Sequence, residues 1–528
     1  MGSAFLPNSD AAGAFGTAQP DALDAPWSAE RRVRRAFLIP PLVLLTVVLA
    51  LAVGELACGT GLYFVSMMAV TLCSIGITYN LLGGLSRISG FMFAGMAAQR
   101  IVISQFAKVI LFEPADRNLL VPNLTIAVYA VFFLSLMVGV FLFARTRLPL
   151  PKPLEPTSLS QIRLLYFVSL IAGVIASTVL YIDAFGTSDQ TKSVGHGVGL
   201  AFSSLLLFSI VLAVDGRIRS TEGRHSLGIW VIVPCAIAEV FAYLQTSRMG
   251  EATPIVIYFL SCYVRGYRFR KRHYLTGLIC AVLFQTLISP FALYSRPRMR
   301  EALSFRARLS EGYELLSSPP SWAALQDTQL GAQLGSEKDE YYSAPGTYVL
   351  SRLSLIRADS DLIAACSTGF HYGFKPLKLF LQENIPHILY KNKPQEGSSS
   401  VYIEGVIGSD VDSPGYWSFT SISDAFGAFG WAGVVVFPFF ILPIVFVVYD
   451  SMFDMARPWG TVALGMVALA GGVPMGATLT LLIKQPLYLW LMSVLTVGIS
   501  RLFTGSNRYA GGVRGRRLGD YPRAETIS

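Results

Sequence analysis

Residues 121–144 read VPNLTIAVYAVFFLSLMVGVFLFA, an apolar run without one charged side chain. A helix crosses the hydrocarbon core of a bilayer with about 20 apolar residues, so this run predicts a membrane-spanning helix. The rest of the chain has the same character: hydrophobic residues make up 53% of its 528 residues and charged residues 14%, with a mean hydropathy of +0.52. Soluble chains carry about 25% charged residues. The composition therefore excludes a protein built from several soluble domains.

Twelve apolar runs along the chain are candidate spans. They lie at 36–54, 61–82, 90–111, 121–144, 162–182, 196–214, 227–244, 252–266, 273–293, 427–450, 459–478 and 482–502. The third run is interrupted by Gln99, Arg100 and Lys108. A single long connection, 294–426, separates the ninth run from the tenth, and connections of that length are usually functional. We predict an all-α polytopic membrane protein with about 12 transmembrane helices and one large outer loop.

The positive charges predict how these spans are oriented. Lys and Arg cluster in every second connection, for example at 31–35 and 268–272. The alternate short connections hold only Arg117, Lys192, Arg248 and Lys484. Because Lys and Arg are retained on the cytoplasmic side, both termini are expected in the cytoplasm and the long loop outside. The predicted regions are a disordered cytoplasmic tail at 1–35, nine spans at 36–293, the outer loop at 294–426, three spans at 427–503 and a basic cytoplasmic tail at 504–528.

The same charge pattern argues against nucleic acid as a partner. The net charge is +9, but the cations follow the loops instead of forming one basic face. Six cysteines are present without a CxxC pair, and most lie inside apolar runs. Neither metal binding nor disulfide chemistry is therefore expected, and no cofactor is predicted.

Arg248 is the first candidate for binding, in a polar break at 245–251 on the outer side. Two interpretations stay open. The side chain either extends to the membrane interface, as cations at helix ends do, or binds a phosphate group. A guanidinium matches phosphate oxygens in a bidentate manner, which favours an anionic lipid phosphate as its partner.

The outer loop contains the second group of candidates. Apolar positions between 349 and 363 fit one helical stripe, and a short amphipathic helix is predicted around 300–315. Arg352 and Asp359 are seven residues apart, so a helix brings them to a similar azimuth. Asp359 could equally cap the helix or form a salt bridge. His371 follows, and a histidine titrates near neutrality and can move a proton, although an isolated histidine is more often structural.

The segment 421–433 begins the tenth span and is rich in small residues. Gly427, Gly430 and Gly433 would let helices approach closely. Ser423 and Asp424 stand where a helix N-cap is expected, which gives both a structural interpretation beside a functional one.

Four stretches form a recognisable set. They are the outward Ser-Arg-Met-Gly turn at 247–250, the outer loop with Arg352 and Arg357, the Ile-Pro-x-x-Leu-Tyr-x-x-Lys-Pro stretch at 385–394, and Asp-Ala-Phe-Gly-x-Phe-Gly at 424–430. Together they resemble the bacterial oligosaccharide repeat-unit polymerases, the Wzy-type O-antigen or exopolysaccharide polymerases, which are related to the O-antigen ligases. The resemblance covers roughly 230–450. His387 departs from the pattern, because the family commonly has Arg at that position.

The resemblance implies an inverting membrane glycosyltransferase with a GT-C-like fold in the bacterial inner membrane. A glycan growing on undecaprenyl diphosphate would be transferred to a newly flipped lipid-linked repeat unit, without a metal or other cofactor. Arg248, Arg352 and Arg357 are then the candidates for binding the lipid diphosphate. The candidates for the general base are Asp359, His371 and Asp424.

The expected partners are undecaprenyl-diphosphate-linked glycans and membrane lipid, with a chain-length regulator and a flippase as further partners and no nucleic acid. Three rival functions remain open. A flippase for lipid-linked oligosaccharides would bury charged residues along a transport path, and Arg100 and Glu239 fit that pattern. An O-antigen ligase would share the donor and the architecture. A structural member of a polysaccharide export complex would catalyse no reaction.

Overall fold

The structure is a computed structural model of the whole chain, and part of the chain is described. The described residues are 38–143, 146–156, 158–186, 194–244, 248–271, 305–318, 356–369, 371–384, 419–469 and 484–504, with isolated positions between 273 and 324 and at 478 and 482.

Sixteen α-helices, and no strands, occur in the described part of the chain. They are α1 (Pro41–Ala57), α2 (Leu62–Leu81), α3 (Ile88–Ala97), α4 (Ile103–Ile110), α5 (Pro122–Phe143), α6 (Leu159–Gly186), α7 (Val194–Ser220), α8 (Ile229–Leu244), α9 (Arg248–Val264), α10 (Phe305–Ser317), α11 (Ile356–Ser367), α12 (Lys375–Asn384), α13 (Ser421–Val436), α14 (Leu442–Met452), α15 (Pro458–Leu469) and α16 (Gln485–Thr504). The prediction of an all-helical protein is confirmed for these residues. The amphipathic helix expected around 300–315 is α10.

Four helices in the described ranges are long and apolar enough to cross a membrane. They are Leu62–Ser86, which contains α2 and the turn after it, Pro122–Phe143, which is α5, Leu159–Val179 within α6, and Ser421–Met452, which runs from α13 through α14. Large apolar side chains on the helices point outward, among them Leu42 on α1, which is 76% exposed, and Phe141 on α5, which is 67% exposed. A soluble protein rarely exposes apolar surface over whole helix faces. This distribution is typical of a membrane protein.

The third predicted span is a helix with a π turn in its middle. A π-helical turn, Ala98–Val102, separates α3 from α4. Arg100 lies in this turn and is only 1% exposed, whereas Phe106 and Ile110 on α4 are 40% and 73% exposed. The turn therefore directs a charged side chain into the protein while the following helix presents apolar side chains to the outside. Such turns are rare in proteins, and those that do occur are often found at functional sites.

The helix ends form two groups of contacts at opposite ends of the helices. At one end, named the Asp359 end, the α1–α2 connection meets the connection after α4: the Ala115 amide donates to Glu55 Oε2 at 3.0 Å and Gly61 donates to Asp116 Oδ2 at 2.9 Å. At the other, named the Asp450 end, Ser89 Oγ donates to Asp450 Oδ2 at 2.8 Å. The connections between α2 and α3 and after α5 and α14 meet there.

Helix α13 begins earlier than its sequence predicts. Its N-cap is Thr420, whose Oγ1 accepts a hydrogen bond from the Ile422 amide at 3.1 Å. The assignment of Ser423 and Asp424 as N-caps is therefore wrong, because both lie inside the first turn of the helix. The helix continues through a π turn, Phe437–Ile441, into α14.

Candidate functional site

Helix α11 belongs to the predicted outer loop, 294–426. It packs against α5 and α13, and its side chains Ile356, Leu362 and Ile363 are completely buried. These are apolar positions of the stripe read from the sequence. Ser360 adds polar contacts, since its Oγ accepts hydrogen bonds from Thr125 Oγ1 at 3.1 Å and from the Val121 amide at 3.3 Å. Helix α11 is thus fixed to the first turn of α5.

Asp359 lies at the centre of this interface and is fully buried. Its carboxylate accepts four hydrogen bonds. Tyr129 Oη donates to Oδ2 at 2.5 Å, and Thr420 donates twice, from its amide to Oδ1 at 2.9 Å and from Oγ1 to Oδ2 at 2.6 Å. Ser423 Oγ donates to Oδ1 at 2.5 Å. A carboxylate holds about four lone-pair sites, so these bonds satisfy it.

Arg100 supplies the positive charge near this carboxylate. It interacts electrostatically with Asp359 and with Tyr129 across the interface. Its Nε and Nη1 atoms have no hydrogen-bond partner among the described residues. The cation therefore offsets the charge of Asp359 without occupying the acceptor positions that the three hydroxyl groups and the amide fill.

Arg357 is the diphosphate-binding candidate that the structure describes with its side chain. Its Nε lies 3.2 Å from Asp361 Oδ1, and its Nη1 donates to the Asn118 carbonyl. The side chain is 16% exposed. Burial raises the pKa of Asp361, and the neighbouring Arg357 opposes that rise. Arg357 therefore joins α11 to the connection before α5 and keeps a small accessible surface.

The turn after α11 is hydrogen-bonded to α13. The amides of Tyr372 and Gly373 donate to the carbonyls of Gly427 and Ala428 at 3.2 and 3.1 Å. Tyr372 Oη donates to Asp424 Oδ1 at 2.7 Å, and Asp424 is fully buried.

A Cβ built on Gly427 would lie 2.6 Å from the Tyr372 ring. Because this distance is too short for two carbon atoms, the observed position of Tyr372 requires a glycine at 427. This glycine makes room for the loop, in addition to the helix packing expected from the sequence.

His371 is the exposed titratable group of this turn. Its Nδ1 lies 3.3 Å from the Gly427 carbonyl oxygen. A carbonyl only accepts hydrogen bonds, so Nδ1 is the donor in this contact, and in the neutral imidazole Nε2 is then the nitrogen with the lone pair. An imidazole held in this tautomer is suited to remove a proton from a hydroxyl group. Of the three predicted bases, Asp359 and Asp424 are buried and hydrogen-bonded, whereas the side chain of His371 is exposed.

A break in α13 places the helix backbone against His371. Phe429 has φ −139° and ψ 16°, and Gly430 has φ 60° and ψ −143°. Residues other than glycine rarely adopt the Gly430 conformation. A Cβ built on Gly430 would lie 3.3 Å from His371 Nε2. The glycine thus permits both the break and the close approach of the imidazole.

The structure brings Arg357, Asp359, His371 and Asp424 to one end of the bundle. Arg352 lies outside the described residues, and Arg248 is the first residue of α9, with its side chain outside the described part. No group of three or more His, Cys, Asp or Glu side chains within the described ranges is arranged to hold a metal ion.

Sequence reasoning did not foresee three further members of this site. Tyr129 and Thr420 are uncharged and carry no pattern of their own. Arg100 did give a signal, a charge inside an apolar run, but it was linked to transport. Residues 230 positions apart, as Tyr129 and Asp359 are, cannot be paired from one sequence.

Compared with protein-family models, curated proteins and solved structures, the chain matches none of them.

Proposed function

We propose that the chain is a polytopic membrane glycosyltransferase that polymerises undecaprenyl-diphosphate-linked repeat units at the outer face of the bacterial inner membrane. The proposal includes about 12 spans, a GT-C-like fold and cytoplasmic termini. The observation that carries it is His371: an exposed imidazole whose Nδ1 contacts the Gly427 carbonyl, held by the turn after α11 against the Asp359 end of the helices.

The proposed reaction uses His371 as its general base. His371 Nε2 takes the proton of the acceptor hydroxyl, and the oxygen attacks the anomeric carbon of the donor glycan. The bond between that carbon and the lipid diphosphate breaks, the leaving diphosphate keeps the electron pair, and the configuration inverts. Arg248, Arg352 and Arg357 are the proposed cations for the developing negative charge.

The charges of the described connections support the proposed orientation. Arginines gather at the Asp450 end: Arg87, Arg147, Arg219, Arg265 and Arg457. The Asp359 end has Arg117 on its short connection. Because cations are retained inside, the Asp450 end is proposed to face the cytoplasm and His371 the periplasm.

The test is glycan length on a gel, in a deletion strain of the source organism that carries each variant. We expect His371→Gln to leave single repeat units, with at least about a 100-fold loss of polymer, the scale of a lost general base. The matched control is His225→Gln, an exposed histidine at the Asp450 end, which should restore long polymer. Both proteins must be present in the membrane in equal amounts.

The deletion strain itself separates the rival functions. Single repeat units on the outer face would support a polymerase. Long polymer still bound to the diphosphate lipid would instead identify a ligase, and unchanged long surface polymer would contradict the proposal.

A flippase is the second candidate function. The buried Arg100 in the π turn of a helix favours it, because transport paths contain buried charges. Repeat units trapped on the cytoplasmic face of the deletion strain would establish this alternative.

A further inference from the structure

The five residues Arg100, Tyr129, Asp359, Thr420 and Ser423 are named the Asp359 cluster. We infer that Arg100 is a positioning residue: its charge acts through Asp359 to hold α11, and with it the His371 turn, on the helix bundle. The role of His371 in this inference rests on the proposed function, but the holding of α11 does not.

The first step is electrostatic. Burying an ionised carboxylate is costly unless it is hydrogen-bonded and its charge is offset. Asp359 meets the first condition through Tyr129, Thr420 and Ser423, all of which are neutral donors. The second condition is met by Arg100, which is 1% exposed, has two guanidinium nitrogens without a hydrogen-bond partner among the described residues, and interacts electrostatically with Asp359 and with its donor Tyr129. Removal of that charge should therefore weaken the seating of α11.

The second step is geometric. Asp359 belongs to the loop, whereas its partners belong to the π turn after α3, to α5 and to the first turn of α13. The cluster thus ties α11 to three separate parts of the bundle. Four residues after α11 ends, His371 contacts Gly427 on α13, the helix that also provides Thr420 and Ser423. A shift of α11 would carry the imidazole with it.

The experiment measures hydrogen exchange of the backbone amides of α11 in the purified full chain in lipid nanodiscs. We expect Arg100→Met to speed exchange across Ile356–Ser367 by about tenfold or more, the scale of a coupling inside one charge network. Arg100→Lys keeps the charge and should stay closer to the wild type. Unchanged exchange in Arg100→Met would overturn the inference.

The matched control is Lys108→Met. Lys108 is a second fully buried cation of the same predicted span, but its Nζ lies 2.9 Å from Glu113 Oε2. We expect this variant to leave exchange in α11 at the wild-type rate. If Lys108→Met accelerates hydrogen exchange in α11 as strongly as Arg100→Met does, then the loss of any buried cation is enough to loosen α11, and the inference fails.

A double variant tests whether Arg100 acts through Asp359. Asp359→Asn alone should loosen α11 and leaves the buried Arg100 cation without its opposing charge, so adding Arg100→Met should not speed exchange further. Additive effects would contradict the inference. If Arg100→Met does not accumulate, accumulation of the double variant supports the inference, and failure of both overturns it.

Polymer synthesis by the same variants keeps the two proposals apart. If the exchange pattern holds but the wild type makes no polymer from lipid-linked repeat units, the proposed function fails and the role of Arg100 in seating α11 stands. If polymer is made, Arg100→Met should lower the rate, and the added loss should vanish in the Asp359→Asn background. Wild-type rates in Arg100→Met would mean that the seating of α11 does not position His371.

Discussion

The two ends of the helix bundle bury an aspartate in different ways. At the Asp359 end, the carboxylate of Asp359 is bound by hydroxyl groups and one amide, and its counter-charge lies beyond hydrogen-bond contact. At the Asp450 end, Asp215 is equally buried but is bound directly by two guanidinium groups, Arg219 Nε at 3.0 Å and Arg265 Nε at 2.9 Å.

This difference indicates what each end does. Arg265 also donates to the Ala456 carbonyl, so the ion pairs of Asp215 join α7 and α9 to the connection between α14 and α15. They join parts of the bundle to each other. The short hydroxyl bonds of Asp359 instead fix α11, a segment of the predicted outer loop, on the bundle. We therefore expect changes at the Asp450 end to affect stability, and changes at the Asp359 end to affect stability and polymer synthesis.

The largest expected effect comes from removing either carboxylate. Asp359→Ala and Asp215→Ala each leave buried donors and a cation without their partner, which costs about 3–5 kcal/mol. Both variants should lose thermal stability by a similar amount in detergent. Only Asp359→Ala should also accelerate exchange in α11 relative to the other helices. Equal acceleration of α11 by the two variants would remove the distinction between the ends.

Single hydroxyl deletions sharpen the same comparison. Ser423 Oγ donates to Asp359 at 2.5 Å, and Ser89 Oγ donates to Asp450 at 2.8 Å. Each Ser→Ala substitution removes a hydrogen bond to a carboxylate, with an expected loss of about 1.5–3 kcal/mol in unfolding free energy. Polymer length on a gel should fall for Ser423→Ala and stay normal for Ser89→Ala. Shortened polymer in the Ser89 variant would count against this assignment.

Some of this arrangement was readable from the sequence, for physical reasons. Apolar runs report burial and length, so the helices and the buried face of α11 followed from residues such as Ile356, Leu362 and Ile363. The irregularity of the third predicted span was visible as charged residues inside an apolar run, although the sequence did not identify it as a π turn. The N-cap of α13 was misplaced because Thr420, Ser423 and Asp424 are all good capping residues, and only the tertiary contacts of Asp359 decide among them.

The role of the acidic residues was not readable in this way. A carboxylate in an outer loop has the same sequence signature whether it faces solvent, caps a helix or is buried. Burial of Asp359 depends on Tyr129 and Thr420, which lie 230 and 61 residues away along the chain. The close approach of His371 to α13 likewise depends on Gly430, whose positive φ no periodicity indicates.

Two glycines with positive φ provide the next comparison. Gly430 (φ +60°) lies beside His371, whereas Gly223 (φ +79°) lies at the Asp450 end, with open space where a Cβ would stand. Either Gly→Ala substitution should cost about 1–2 kcal/mol through backbone strain. Gly430→Ala should in addition crowd His371 Nε2 and lower polymer synthesis, whereas Gly223→Ala should not. Normal synthesis by Gly430→Ala would argue against a precise imidazole position.

The last comparison is a pH dependence confined to the Asp450 end. Burial raises the pKa of Glu155 from its ordinary value of 4.5 to about 8, against the opposing charges of Arg265 and Arg457. A carboxyl whose pKa is raised on folding contributes stability that is present below the unfolded value and is lost as the pH rises through the folded value. Thermal stability should therefore fall between about pH 5 and pH 9 by a few °C. Glu155→Gln should flatten that slope.

Glu222→Gln is the control for this titration, because Glu222 is 83% exposed in a connection at the same end. Its stability profile should follow the wild type. The seating of α11 provides a second control, since Glu155 is not part of the Asp359 cluster and exchange in α11 should not change with its protonation. If Glu155→Gln keeps the wild-type slope, the pH dependence arises elsewhere. If it alters exchange in α11, the two ends are coupled through the bundle, and the division of roles drawn from Asp359 and Asp215 does not hold.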